Sequence, residues 1–297
     1  MTAPPETPDV TMSLPVALIK ALRPKQWTKQ VFVFPALFFS FEFLEVEAIL
    51  HTFWAVACFS LVSSTGYIFN DIRDREADAL HPKKRKRPIA AGALAVPHAV
   101  GWMVVVCTFG FAGAYALSPG FALVTALYFA TTMSYTLVFK HMVIVDVMFI
   151  AAGFLWRAVA GAVAIDVVIS PWLLICMGFL ALFLGFNKRR AEVARLGDTA
   201  SEFRKNLAVY TVPLLDEFQG ITTSCTIISY AVYCVLASPS PWLLLTLPHV
   251  LFGIFRYVLL VQQGEGGAVE ETLLKDKPIL VMGALYGATV VAVLLLT

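Results

Sequence analysis

Apolar residues run along this chain in long, nearly unbroken stretches, separated by short polar connections. The stretches cover residues 27–41, 53–70, 97–117, 120–139, 143–164, 171–186, 220–237, 241–262 and 279–296. A run of about 20 apolar residues crosses the hydrocarbon core of a bilayer as an α-helix, because lipid offers no partner to an open backbone. The pattern predicts an all-α polytopic membrane protein, a bundle of nine transmembrane helices.

Composition removes the main competitor. The 297 residues are 59% hydrophobic and 14% charged, against about 25% charged in an average soluble domain, so a soluble monomer is excluded. The first seventeen residues carry Pro4, Pro5, Pro8 and Pro15 without a leading basic run, which predicts a disordered tail rather than a secretory signal. Residues 18–297 then form one transmembrane domain. Cys58, Cys107, Cys176, Cys225 and Cys234 lie in apolar stretches without metal-binding spacing and read as packing residues.

Charge sets the orientation. Apart from Arg157, the 22 Lys and Arg fall in the N-terminal segment, in the even-numbered connections or at their edges. Basic connections stay in the cytoplasm, so the N-terminus and the even connections are expected inside the cell (inner or plasma) membrane. An odd helix count places Thr297 outside, and the first outer connection is suitably acidic, with Glu42, Glu45 and Glu47. Two cytoplasmic connections, about 71–96 and 187–219, are longer than a helical hairpin needs and are where function is expected.

The second helix ends in Asn70, Asp71, Asp74 and Asp78. If the helix continues, residues 70, 74 and 78 share one face, with 71 alongside, over roughly 12 Å. An amide and three carboxylates so spaced can hold Mg²⁺ through a few ligands and leave positions for phosphate oxygens. Asp71, Asp74 and Asp78 are therefore the candidate catalytic residues, and with Asn70 the candidate metal ligands. The basic run after them, with Lys83, Arg85 and Arg87, supplies candidate phosphate-binding cations while also fixing topology at an anionic surface.

The array Asn70-Asp71-x-x-Asp74-x-x-x-Asp78, followed by His81-Pro82-x-Lys84-x-x-Arg87-Pro88-Ile89, resembles the first aspartate motif of the UbiA-type intramembrane prenyltransferases. The helix count and the two long loops agree, so the resemblance covers residues 18–297. It implies a diphosphate site served by Mg²⁺, and it marks Lys29, Tyr135 and Lys140 as residues near that diphosphate.

One departure from the superfamily pattern is informative. Where a second aspartate pair belongs, after the sixth helix, the chain reads Asn187-Lys188-Arg189-Arg190-Ala191-Glu192. Fewer metal ligands and more guanidinium and ammonium groups imply direct phosphate binding. With the segment Arg23-Pro24-Lys25-Gln26-Trp27-Thr28-Lys29-Gln30, this is similar to the branch that transfers phosphoribose to a polyprenyl phosphate. That resemblance implies 5-phosphoribosyl 1-diphosphate as donor, a polyprenyl phosphate lipid as acceptor, no nucleic-acid partner, and a role in supplying arabinose donors for cell-wall arabinan. Lys188, Arg189 and Arg190 become candidates for the donor's 5-phosphate, and Glu192 a stand-in for the missing acidic motif. An aromatic or quinone prenyltransferase and a solute transporter are the alternatives.

Arg157 lies inside an apolar stretch. A cation in the membrane must be paired or face a polar cavity, and Asp146, Asp166 or a bound phosphate could serve it.

Overall fold

A computed structural model of the protein describes residues 12–40, 42–81, 84–196, 207, 209–264 and 269–296. The tail up to residue 11, Lys83, and the part of the second loop from 197 to 206 lie outside the described residues. The chain is all-helical, as expected, but the elements differ in length from the apolar stretches.

Helix α1 (Leu14–Ala21) starts inside the segment read as a tail, with Pro15 in its first turn, and buries Ala17 and Ala21. The first apolar stretch is not a transmembrane α-helix. Residues Pro24–Val33 form a 3₁₀ helix and Pro35–Phe39 a short helix, α2, separated where Pro35 withdraws its backbone donor. The 3₁₀ rise of about 2 Å per residue carries ten residues roughly 20 Å, and α2 adds about 7 Å. Fifteen residues thus nearly match a hydrocarbon core of about 30 Å, where an α-helix of that length would fall short.

Helices α3 (Val46–Arg73), α4 (Arg75–Leu80), α5 (Val96–Leu117), α6 (Pro119–Leu137), α7 (Val145–Ala164) and α8 (Pro171–Leu196) come next, then α9 (Val212–Leu236), α10 (Leu247–Gln262), α11 (Val269–Lys275) and α12 (Lys277–Leu296). Seven segments among the described residues are long and apolar enough to span a membrane, and the apolar C-terminal helix is shorter by the same measure. The expected count of nine is therefore slightly high. Two boundaries differ by several residues from the apolar pattern: α3 begins at Val46 and α8 runs to Leu196, so Asn187–Glu192 are helical rather than part of a loop.

Helix α7 is central. Half of its most apolar window is buried, against 17% for α5, and α7 meets the 3₁₀ segment, α2, α3, α6 and α8. Large side chains such as Phe53, Trp54, Val104, Phe109 and Leu123 remain exposed, a pattern that only a lipid environment accommodates. The chain is a multi-pass membrane protein.

One packing contact fixes the first segment against α7. A Cβ on Gly161 would lie 1.9 Å from the Val33 carbonyl oxygen, so only glycine lets the two backbones come this close.

Candidate functional site

The acidic array sits at the end of α3, and the helix does not continue through it. Asp74 leaves helical geometry (φ −93°, ψ 12°) and the chain restarts as α4, tied back by the Asp78 N–H to the Asp74 carbonyl at 2.8 Å. The break separates the carboxylates. Asp71 and Asp78 turn inward and are buried, while Asp74 is partly exposed.

Cations from three other segments meet these groups. Arg23, at the start of the 3₁₀ segment, reaches Asp71 through Nε at 3.3 Å and through Nη2. Arg87 Nη1 lies 3.0 Å from Asp71 Oδ1 and also pairs with Asp78, and Lys84 Nζ stands 3.5 Å from Asp78. Lys140, carried by a 3₁₀ turn after α6, sits 3.2 Å from Asp74. Arg73 donates to the Thr136 carbonyl at 3.0 Å, which fastens the end of α3 to the end of α6.

Local folding explains the placement of Arg87. The basic run makes a 3₁₀ turn at Lys84–Lys86, then reverses through Gly92 (φ 73°), a conformation suited to glycine. Ile89 and Leu94 anchor that reversal in the core. Arg85 stays exposed at the rim. His81 accepts the Lys84 N–H at 3.3 Å, and burial together with the Lys84 cation holds its imidazole below the usual range.

The cations of α8 split into two groups. Arg189 is fully buried, with Nε 2.9 Å from Asp146 Oδ2 and Nη1 2.6 Å from Glu192. Arg190 pairs with Asp216 at 2.5 Å. Both guanidinium groups are thus engaged by carboxylates of the protein. Lys188 has Lys29, Glu192, Arg189 and Tyr135 as its electrostatic neighbours, the sequence-expected Lys29 and Tyr135 among them. Asn187 is buried and bonded to Gln219 at 2.8 Å.

Neither carboxylate proposed for Arg157 is its partner. Its guanidinium donates to Gln30 Oε1, the Gly153 carbonyl and the Tyr128 hydroxyl at 2.9, 2.7 and 2.9 Å. Asp146 is taken instead by Arg189 and by Tyr210, whose hydroxyl donates to it at 3.2 Å and accepts the Ile144 N–H at 2.6 Å.

Three participants were not singled out from sequence. Arg23 carried a signal, a cation before Pro24 at the membrane edge. Gln30 closes the same segment as one polar residue among several, and Tyr210, in a polar loop, carried no signal.

No group of three acidic, histidine or cysteine side chains among the described residues converges closely enough to hold a metal ion. Two do converge, since Asp71 and Asp78 share one Arg87 nitrogen. Asp74 faces Lys140 instead.

Comparison with known proteins gives a consistent picture. The model of the UbiA prenyltransferase family matches residues 31–275. A decaprenyl-phosphate phosphoribosyltransferase of Corynebacterium glutamicum is 35% identical over 274 residues, which is 89% of this chain and 82% of that protein. One from Mycobacterium tuberculosis is 33% identical over 284 residues, 94% of each. A UbiA homolog from Archaeoglobus fulgidus, solved bound to GPP and Mg²⁺, superposes with a TM-score of 0.70 at 17% identity, over 93% of this chain and 99% of that one.

Proposed function

Because the chain belongs to the UbiA prenyltransferase family, we propose that it transfers 5-phosphoribose from 5-phosphoribosyl 1-diphosphate to decaprenyl or another polyprenyl phosphate, releasing diphosphate. The observation that carries this reading is the charge pattern. Asp71, Asp74 and Asp78 face Arg23, Lys84, Arg87 and Lys140, while the place of a second acidic motif holds Asn187, Lys188, Arg189 and Arg190. A donor with two separate phosphate groups suits two such places, one where carboxylates and cations are interleaved and one where Lys188 stands beside ion-paired guanidinium groups.

Two carboxylates that converge on a single cationic nitrogen fit Mg²⁺, which usually takes one or two protein carboxylates and completes its octahedron with phosphate oxygens and water. Asp71 and Asp78 would hold it, with Asn70 and Asp74 beside them. When bound, the ion supplies charge stabilisation to the departing diphosphate.

The remaining work falls to the chain's own residues. Arg23, Arg87 and Lys140 offer donors to diphosphate oxygens, with Arg85 and Lys83 nearby in sequence. Lys188, with Lys29 and Tyr135, takes the 5-phosphate. Arg189, Arg190 and Glu192 hold α8 in register through their ion pairs. An acceptor phosphate oxygen bonds to the anomeric carbon as the bond to diphosphate breaks, and that electron pair leaves with the diphosphate. In-line attack inverts the anomeric centre. A phosphate monoester, with its second pKa near 6, is already largely ionised, so no general base is needed.

On this reading the site faces the cytoplasmic side of the inner or plasma membrane, a sidedness supported by the basic loops, and a water-soluble donor there meets a lipid acceptor. The product would serve the synthesis of arabinose donors for cell-wall arabinan.

The test is direct. Purified protein, Mg²⁺, radiolabelled 5-phosphoribosyl 1-diphosphate and polyprenyl phosphate should yield lipid-soluble label that EDTA abolishes. Absence of label, with turnover of a prenyl diphosphate and an aromatic acceptor instead, replaces this reading with a quinone-type prenyltransferase.

A further inference from the structure

The segment Pro24–Val33 keeps 3₁₀ geometry for ten residues, although runs beyond three or four are uncommon because the hydrogen bonds are poorly aligned. It begins at Arg23 in the left-handed region (φ 54°), which an arginine rarely adopts. Backbone of this kind persists only when its surroundings over-determine it. The surroundings can be named. Trp27 Nε1 donates to Ser64 Oγ at 3.1 Å, and that hydroxyl donates to the Leu22 carbonyl at 2.8 Å. Val33 is seated against Gly161, and Phe32 lies on Phe154 with centroids 4.6 Å apart.

At the centre is Gln30, fully buried and bonded on both ends of its amide. Its carbonyl oxygen accepts from Arg157 Nε at 2.9 Å, and its nitrogen donates to Ser63 Oγ at 3.1 Å. An arginine has only donors, in a rigid planar fork, so Arg157 fixes which way the Gln30 amide faces. Its own orientation is set by Gly153, by Tyr128, and by the Tyr128 and Phe154 rings at 4.8 and 5.4 Å. All three hydrogen-bond acceptors are neutral, and among the described residues no carboxylate pairs with Arg157. A cation deep in the membrane without an anion is costly.

We propose that Arg157 is a positioning residue for donor binding, acting through Gln30 to hold the 3₁₀ segment that presents Arg23 and Lys29 to the site. The inference rests on the donor assignment above. Arg23 is seated on Asp71 at one end of the segment, and Lys29 adjoins Gln30 and neighbours Lys188. A rotation of the segment displaces both cations together.

The experiment uses purified full-length protein carrying Arg157→Met, Arg157→Lys, Gln30→Met, or Arg157→Met with Gln30→Met. Each single change should raise the KM for 5-phosphoribosyl 1-diphosphate about tenfold or more, as misplacement of binding groups does, while the KM for polyprenyl phosphate stays within about twofold. The double variant should be no worse than the worse single one, since both remove one linkage. Arg157→Lys keeps the charge without the fork and should not restore the donor KM.

A second readout is independent of turnover. A cysteine introduced by Lys29→Cys should react with a maleimide at a different rate when Arg157→Met or Gln30→Met is also present. Parental kinetics and parental labelling in variants of lowered thermal stability would overturn the proposal, leaving Arg157 a packing residue. Full rescue by Arg157→Lys would overturn it too, in favour of charge alone. Altered labelling in a protein that never uses 5-phosphoribosyl 1-diphosphate would uphold the positioning and refute the donor assignment.

Discussion

Arg189 and Asp146 form a buried ion pair between α8 and the start of α7, with Nε 2.9 Å from Oδ2 and exposures of 2% and 0%. Removing either partner takes away the facing charge, while Tyr210 still donates to Asp146 and Glu192 still accepts from Arg189. Arg189→Met and Asp146→Asn should each lower stability by about 3–5 kcal/mol, and replacing both with apolar residues should recover most of the loss. Thermal unfolding in detergent or nanodiscs measures this, and parental midpoints in both single variants would refute it.

Asp71 and Asp78 converge on Arg87, and Asp74 does not. Asp71→Asn and Asp78→Asn should therefore each cut turnover by about 10²-fold or more, the usual effect of losing one group that stabilises developing charge. Both variants should still insert into the membrane. Near-parental rates of lipid labelling in either one would remove that residue from the site.

Lys140 and Lys188 lie at the two proposed phosphate poles. Lys140→Met and Lys188→Met should raise the donor KM and leave the acceptor KM nearly unchanged. With ribose 1-diphosphate lacking the 5-phosphate as donor, Lys188→Met should cost little while Lys140→Met keeps its full effect. Identical penalties on both donors would merge the two poles into one.

Burial pushes the Tyr210 phenol up to about 12, with the Asp146 carboxylate adding to the rise and the Ile144 N–H opposing it. The protonated form is favoured in the folded state, so its stabilisation is complete below the unfolded value of about 10 and is lost as pH rises from there through about 12. Tyr210→Phe should lower stability at neutral pH and flatten this alkaline decline. An unchanged slope in unfolding midpoints against pH would mean that another group governs it.

Sidedness can be read with single cysteines. Ala79, near the end of α4, and Ala237, just after α9, are both exposed, and the charge pattern expects them on opposite faces of the membrane. In sealed vesicles, Ala79→Cys should label only from the cytoplasmic face and Ala237→Cys only from outside. Labelling of both from one face would break the orientation derived from the basic loops.

The fold was largely legible because apolar length is a strong signal. The acidic array and its basic run were legible too, since charged residues at a membrane edge have few structural uses. What the sequence did not reveal was pairing. Asp146 is one acid in an apolar stretch, and nothing local says that it serves Arg189 and Tyr210 rather than Arg157. The break at Asp74 was hidden for a related reason. Helical spacing puts residues 70, 74 and 78 on one face, but Asp71 is drawn inward by Arg23, 48 positions away, and Asp78 by Arg87, which a reversal of the chain brings back to both. The 3₁₀ course of Pro24–Val33 likewise depends on contacts with α3 and α7.

The bond between Gln30 and Arg157 joins residues 127 positions apart, which matters for biogenesis. At about 5–20 residues per second, the arginine is translated roughly 6–25 s after the glutamine. During that interval the first apolar stretch has neither the length of a conventional span nor its eventual clamp, and Gly161 has yet to be made. The amino-terminal segment is thus expected to seat late, when α7 enters the bilayer, and chains truncated before Arg157 should leave Trp27 and Lys29 open to protease at the membrane surface.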